Sequence, residues 1–476
     1  MKKMKKNKLI FYSLIMWSLI NCSENKLEEI TPEDNIPAAL IFTNFSTIEA
    51  TTVGIYDGMQ NGDIIGGQVE FIGDFLSDDV NFVGSYPSLQ QLRNFYAAST
   101  NRNVNDIWFN VFNVTRNANN IIENLAVLSS QDITFSDPND FETFETRKQE
   151  FIAEARFCRA LVTFIGANLF AHPYQVENGE NLGMPIVTAF FAGDEGRFKE
   201  PRATLNETHT FIENDLLFAV NNLSDFNGIR ASSTAAKALL SRLYLYREQW
   251  SEAANMANAV INTSGFSLAP DYTFYNSPSS EHIFRIINLP DDSAFGLNFD
   301  LFYNPASARG RGDLTITQDL ITAFTAEIGD LRYTTLTTED RDPSDNPARF
   351  TLKYPNGQTN ESDPNVLRMG EIYLNRAEAN LRGNTTIGDT PLNDVNAIRA
   401  RAGLVALTAV TLEDVLLERR KELAFEGHRR MDLLRNNKNL KPENFPISAP
   451  GGNKTILPIP ANEINMNPNA VQNTSY

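Results

Sequence analysis

The sequence predicts a mostly α protein, one compact domain of tetratricopeptide-like helix pairs interrupted by a loop-rich, irregular insertion. Three observations carry that expectation. Between 367 and 435, Met369, Ile372, Tyr373, Ala377 and Leu381 open a block whose apolar residues recur at spacings of three and four, as on one face of a helix. In 231–263, the string STAAKALLSRLYLYREQWSEAANMANAVINT reads as helix, short turn at Glu248–Trp250, helix, close to the repeat length of about 34 residues for such pairs. From 264 to 365 helical periodicity is lost among Gly, Pro, Asn, Asp and Thr. Helix pairs bury little alone and must stack, so several should form one right-handed array.

Composition bounds the rest. With 476 residues, 42% of them hydrophobic and 21% charged, the chain can bury a large core. A formal net charge of −18 argues against nucleic acid, whose phosphates need a basic surface. The same charge favours a neutral ligand over a strongly anionic one.

At the N-terminus, Lys2, Lys3, Lys5, Lys6 and Lys8 precede an apolar run from Leu9 to Ile20, too short to span a bilayer and suited to a signal-peptide core. Leu19-Ile20-Asn21-Cys22 is similar to a bacterial lipobox, with Asn21 where a small residue is usual. The expected organisation is a signal peptide over 1–21, a tether over 22–37 lipidated at Cys22, and one domain over 38–476. Cys158, in an apolar helical stretch, has no disulfide partner and is expected as a buried thiol.

Along the chain, helices are expected over 40–59, 103–130, 150–170 and 204–223, then the pair in 231–263. Trp108 sits at helical spacing and is expected in the core. The segment 62–100 combines several glycines with acids and aromatics and is expected as loop rather than regular helix. In the insertion, EHIFRIINL (281–289) reads as a strand, Arg309–Asp313 as a flexible basic loop, and ITQDLITAFTAEIGDLR as one helix. The block 367–435 should give three helices divided at Gly383-Asn384 and Gly403. The third should start at Thr411, capped with Asp414, and stop at Gly427.

That last block is dense in Arg and Glu. Arg pairs with carboxylates in a fixed fork, so an interhelical ion-pair network is the expectation. The chemistry of 62–96 points outward instead. Carbohydrate faces pack on aromatic rings, and short acids and amides bind vicinal hydroxyls. Asp78, Asp79, Asn81, Phe82, Tyr86 and Tyr96 offer that mixture. A calcium loop at 78–81 is a second reading.

The strings EIYLNRAEA, VNAIRARAG and ERRKELAFEGHRRMDLLR resemble the C-terminal signature of the SusD/RagB family of Bacteroidetes surface lipoproteins. The resemblance implies a SusD-like fold, with helix-pair scaffold at 103–263 and 367–435 and ligand-facing segments at 62–100 and 264–365. It implies a lipid-anchored protein on the extracellular face of the outer membrane that captures a neutral oligo- or polysaccharide for a SusC-like TonB-dependent transporter. It implies no enzyme and no cofactor. It also draws an aromatic of the insertion into the site, for which Phe274, Tyr275 and Tyr303 stand as candidates beside Arg309. Peptide capture, a glycoside hydrolase and a structural subunit closing the transporter remain the rivals. The sequence carries no phosphate-binding glycine loop, no G-x-S-x-G elbow and no metal spacing among His172, His209, His282 and His428.

Overall fold

The computed structural model describes residues 41–191, 199–294, 298–357, 359–444 and 446–476. The expected signal peptide, tether and Cys22 lie outside these. Among the described residues no helix is long and apolar enough to cross a membrane.

The first half is helical. α1 (Phe45–Gln60), capped by Asn44, leads to α2 (Gln68–Phe75), strand β1 (Val80–Phe82) and α3 (Pro87–Arg93). The expectation of plain loop over 62–100 is therefore corrected. Buried Phe71, Ile72 and Phe75 give α2 an apolar face despite the glycines around it.

α4 (Arg102–Val127) and α5 (Pro138–Phe170) follow. α5 begins well before the expected 150, because Asp137 caps it and Pro138 suits the first helical position. Trp108 is buried against Phe112 and Phe170, and Cys158 is a buried free thiol. A two-stranded ribbon of β2 (Leu182–Pro185) and β3 (Arg202–Thr204) delivers the chain to α6 (Leu205–Asn222). Thr204 and Glu207 form a reciprocal capping box at its start.

The predicted pair is α7 (Ser233–Tyr246) and α8 (Trp250–Ile261). Fully buried Ala235, Ala236, Ala253, Ala254 and Ala257 let the two approach closely.

The insertion is more ordered than expected. β4 (His282–Phe284) keeps only the start of the predicted strand. A short α9 (Phe299–Tyr303) and β5 (Leu314–Ile316) follow. The single helix expected next is split into α10 (Gln318–Thr325) and α11 (Leu331–Leu336), with Gly329 in the left-handed region between them. An unforeseen hairpin, β6 (Thr337–Arg341) and β7 (Pro347–Thr351), comes next. β8 (Leu367–Arg368) pairs back to β4.

The C-terminal block gives α12 (Met369–Gly383), α13 (Pro391–Arg401), α14 (Leu412–Glu422) and α15 (Arg429–Arg435). Asn384 ends α12 in the left-handed region, and the Thr411–Asp414 capping box forms as expected. The helix after Thr411 stops at Glu422, short of Gly427. Phe425 and Gly427 both take positive φ there, 67° and 74°, and turn the chain into α15. A Cβ at Gly427 would lie 2.9 Å from the Glu70 Cα, so the turn needs glycine for space as well as conformation.

The helices stack in sequence from α4 to α8, and α8 packs on α12, which carries α13 and α14. The last segment, with α16 (Ala461–Met466), folds back over the body, where the Leu457 amide donates to the Leu169 carbonyl. A main apolar core underlies most of these elements, with smaller separate clusters at Tyr272, Phe274 and Tyr275 and at Ala377, Val395 and Val415.

Candidate functional site

Two clusters of charged and aromatic side chains meet the sequence expectations, one almost wholly buried and one at the surface. The first is the Arg/Glu block, which closes into a buried knot. Arg368 Nε donates to Glu426 at 2.6 Å and its Nη1 to Glu422 at 2.7 Å. Arg401 bridges Glu281 at 2.9 Å and Glu422 at 2.7 Å. Arg332 joins Asp330 at 2.7 Å to Glu418 at 2.9 Å, and Arg399 joins Glu418 at 2.8 Å to Glu327 at 2.5 Å. Lys353 and Lys421 complete six cations set against the six carboxylates of Glu281, Glu327, Asp330, Glu418, Glu422 and Glu426.

Burial alone would raise these carboxyls, yet Arg368 and Lys353 hold Glu426 at about 2, and Arg401 and Arg368 hold Glu422 well below the usual carboxylate range. Apart from the Glu327 edge, which is part-exposed, the group is buried. A second set, Arg242–Glu371 and Arg419–Asp432–Arg435–Glu378, ties α7, α12, α14 and α15 in the same way. The ion-pair network expected from composition is what forms.

Phe274 and Tyr275 belong to this knot rather than to a ligand site. Both are buried, the Tyr275 hydroxyl donates to Glu426 at 2.8 Å, and the Arg368 guanidinium lies 5.7 Å from the Phe274 ring centre. Tyr303 is 1% exposed and donates to the buried Asp74 carboxylate. These three candidates are corrected to core. Loop sequence has no period from which their burial could be foreseen.

Asp78 and Asp79 are also spoken for. Arg429 grips Asp78 bidentately at 2.7 and 2.8 Å, and Arg420 donates to Asp79 at 2.6 Å. Burial raises Asp79, while Arg429 and Arg420 overcome burial and lower Asp78. Asp78 is held through both oxygens and Asp79 is fully buried, so neither presents an open carboxylate to a sugar hydroxyl or a calcium ion. Among the described residues no cluster of three or more acid, His or Cys side chains could hold a metal. Phe82 is 3% exposed against Phe75 and is core.

The remaining candidates, Asn81, Tyr86, Tyr96 and Arg309, stay at the surface. β1 pairs with β5 antiparallel, Asn81 opposite Thr315, so the 78–96 segment and the insertion meet along one ribbon. Asn81 is partly exposed. Tyr86 immediately precedes α3 and is 38% exposed. Its ring stacks on Phe302 at 5.9 Å, and the Arg311 guanidinium lies 4.5 Å from its centre. Arg311 in turn donates to the buried Asp313 at 2.7 Å. The tyrosine is thus braced by a ring and a cation while keeping open surface. Tyr96, beyond the other end of α3, is 56% exposed.

Arg309 is exposed with φ 63°. The loop expected to be flexible around it is tightly bonded: the amides of Arg309, Gly310, Arg311 and Gly312 donate to Ala306, Pro305, Leu301 and Asn304 carbonyls. A Cβ at Gly310 would collide with the Asn304 carbonyl. Sequence reasoning missed Phe302 and Arg311 as parts of this ledge. The available signal was their clustering beside Arg309 in FDLFYNPASARGRGD. An interior cavity of about 90 Å³, lined in part by Glu70, Arg242, His428 and Arg430, includes none of the ledge residues.

A stacked-helix scaffold that holds irregular segments together along one ledge is the architectural class of this protein. A family model described as the SusD family matches residues 348–476. Another, described as starch-binding associating with outer membrane, matches 27–245. A SusD-like protein of Bacteroides ovatus is 24% identical, over 90% of this chain and 82% of its own. The starch-binding protein SusD of Bacteroides thetaiotaomicron is 30% identical over 36% of this chain and 30% of its own. Among solved structures, a SusD superfamily protein from Bacteroides vulgatus has TM-score 0.80 at 27% identity, covering 91% of this chain and 100% of its own. A laminarin-binding SusD-like protein has TM-score 0.73 at 25% identity, with 91% and 100% covered. The chain belongs to the SusD/RagB family.

Proposed function

We propose that the protein captures an oligo- or polysaccharide on the ledge at Tyr86 and delivers it to a SusC-like TonB-dependent transporter. It does so from the extracellular face of the outer membrane, anchored by lipid at Cys22, and cleaves no bond. The observation that carries this is the half-open Tyr86 ring, stiffened by Phe302 and Arg311 beside the partly exposed Asn81. A ring held in place loses little entropy when a sugar face stacks on it. The starch-binding and laminarin-binding relatives support the ligand class.

The test is the full-length protein in mild detergent, run through native gels cast with individual polysaccharides. Retardation in at least one gel, weakened about tenfold in affinity by Tyr86→Ala with the melting temperature unchanged, is the expected result. Undiminished retardation of the Tyr86→Ala protein would remove the ledge from the site. Release of reducing sugar on prolonged incubation would make the protein a hydrolase.

A further inference from the structure

The net charge of −18 describes the whole surface, whereas a ligand responds to the charges within a Debye length, about 8 Å at physiological salt. Beside Tyr86 one such charge is in contact, the Arg311 guanidinium 4.5 Å from the ring centre. Arg309 stands exposed on its rigid loop, and among the described residues no carboxylate meets it. It holds a left-handed backbone that a non-glycine residue adopts at a cost, the kind of strain that collects at ligand contacts. Two residues on, Arg311 covers the tyrosine ring and shares one carboxylate, Asp313.

At the far end of α3, Arg93 makes only a 3.5 Å contact with the neutral Asn94 side chain, and its buried Nε has no partner. Lys441, 2% exposed, donates a single long bond of 3.4 Å to the Val80 carbonyl. Burial, with Arg93 nearby, lowers its ammonium to about 8; Glu443 and Asp78 act in the opposite sense. Asp78 is committed to Arg429 and Arg420, and Glu443 is exposed. Arg309 and Arg311 thus share one loop, in which Asp313 pairs with Arg311 and the partly exposed Asp340 accepts from Ser307, while Arg93 ends α3 and the buried Lys441 lies against β1.

Resting on the reading that this ledge binds glycan, we propose that its ligand is an anionic one, bearing carboxylate or sulfate groups. Arg309 forks onto an acidic substituent while the sugar ring stacks on Tyr86. A guanidinium matches both oxyanions through paired hydrogen bonds. An anionic ligand departs from the expectation of a neutral glycan, which rests on total charge rather than on local charge.

The test compares three probes in affinity gels and by calorimetry on the full-length protein: alginate for carboxylate, carrageenan for sulfate and laminarin as neutral control. Arg309→Gly removes the guanidinium while suiting the left-handed backbone, so the fold is retained. Binding to alginate or carrageenan, reduced about tenfold by Arg309→Gly, partly restored by Arg309→Lys and weakened by added salt, supports the proposal. Which of the two acidic probes binds names the substituent. Laminarin binding that equals or exceeds both, unchanged by Arg309→Gly, overturns it and leaves glycan capture standing. Binding of none of the three, with Tyr86→Ala equally inert, overturns the anionic ligand and the glycan reading together.

Discussion

In the C-terminal knot, Arg332, Arg368, Arg399 and Arg401 each meet carboxylates at 2.5–2.7 Å, while on the ledge Arg311 shares Asp313 and Arg309 faces solvent. The two regions use one side-chain type for opposite ends. Where carboxylates converge from several elements, arginine becomes a brace that sets helix against helix. Where a tight loop holds it away from acids, its donors remain available. Charge density in a sequence therefore points first to scaffold, and exposure decides which cations can serve a ligand.

Breaking the knot should have the largest effect. Glu422→Ala removes the carboxylate shared by Arg368 and Arg401 and leaves buried charge uncompensated, a loss of about 3–5 kcal/mol in chemical denaturation. Gly427→Ala comes next. It forces a Cβ against Glu70 at a residue with φ 74° and should lower stability by about 1–3 kcal/mol in the same assay. Tyr86→Ala and Arg309→Gly should instead leave stability nearly unchanged while altering ligand affinity. Arg309→Gly should give the smallest stability change of all in calorimetry, because relief of the left-handed strain is opposed by the extra freedom glycine gives the unfolded chain.

Acid should separate the regions as well. Burial lowers His209 to about 3 and His282 to about 4, so both stay neutral in the fold but gain protons in the unfolded chain below about pH 6.5. The unfolded state then binds more protons, and stability falls with pH through that window. Glu378 and Glu426, depressed to about 2 by their arginines against burial, extend the loss. Their contribution is complete above the unfolded carboxylate value near 4.5 and disappears as pH approaches about 2. Asp74, raised by burial, acts in the reverse sense. Denaturation midpoints should change little from pH 8 to about 6.5 and decline from there to pH 3; no further decline below about pH 4.5 would mean that the knot contributes little.

The scaffold was legible because helices announce themselves. The small residues of 231–263, the Thr411–Asp414 box and the Asn384 stop are local signals with local outcomes. The ledge was legible only in part. Tyr86, Tyr96, Asn81 and Arg309 kept the surface expected of them, but Asp78 and Asp79 were claimed by Arg420 and Arg429, far away in the chain. Tyr303 and Phe82 were drawn inward by packing that no spacing in a loop reveals. The split of 316–332 into α10 and α11, and the β6–β7 hairpin, likewise follow from tertiary pairing rather than from propensity.

The stacking of α8 on α12 has a consequence for the order of synthesis. A ribosome completes α7 and α8 long before the strand and helices that cover them exist. Until α12 emerges, the face of α8 that packs on it has no mate and the buried Arg242 lacks its partner Glu371. A chain that terminates anywhere in the insertion would be left with that face bare, prone to aggregation and proteolysis rather than to partial function.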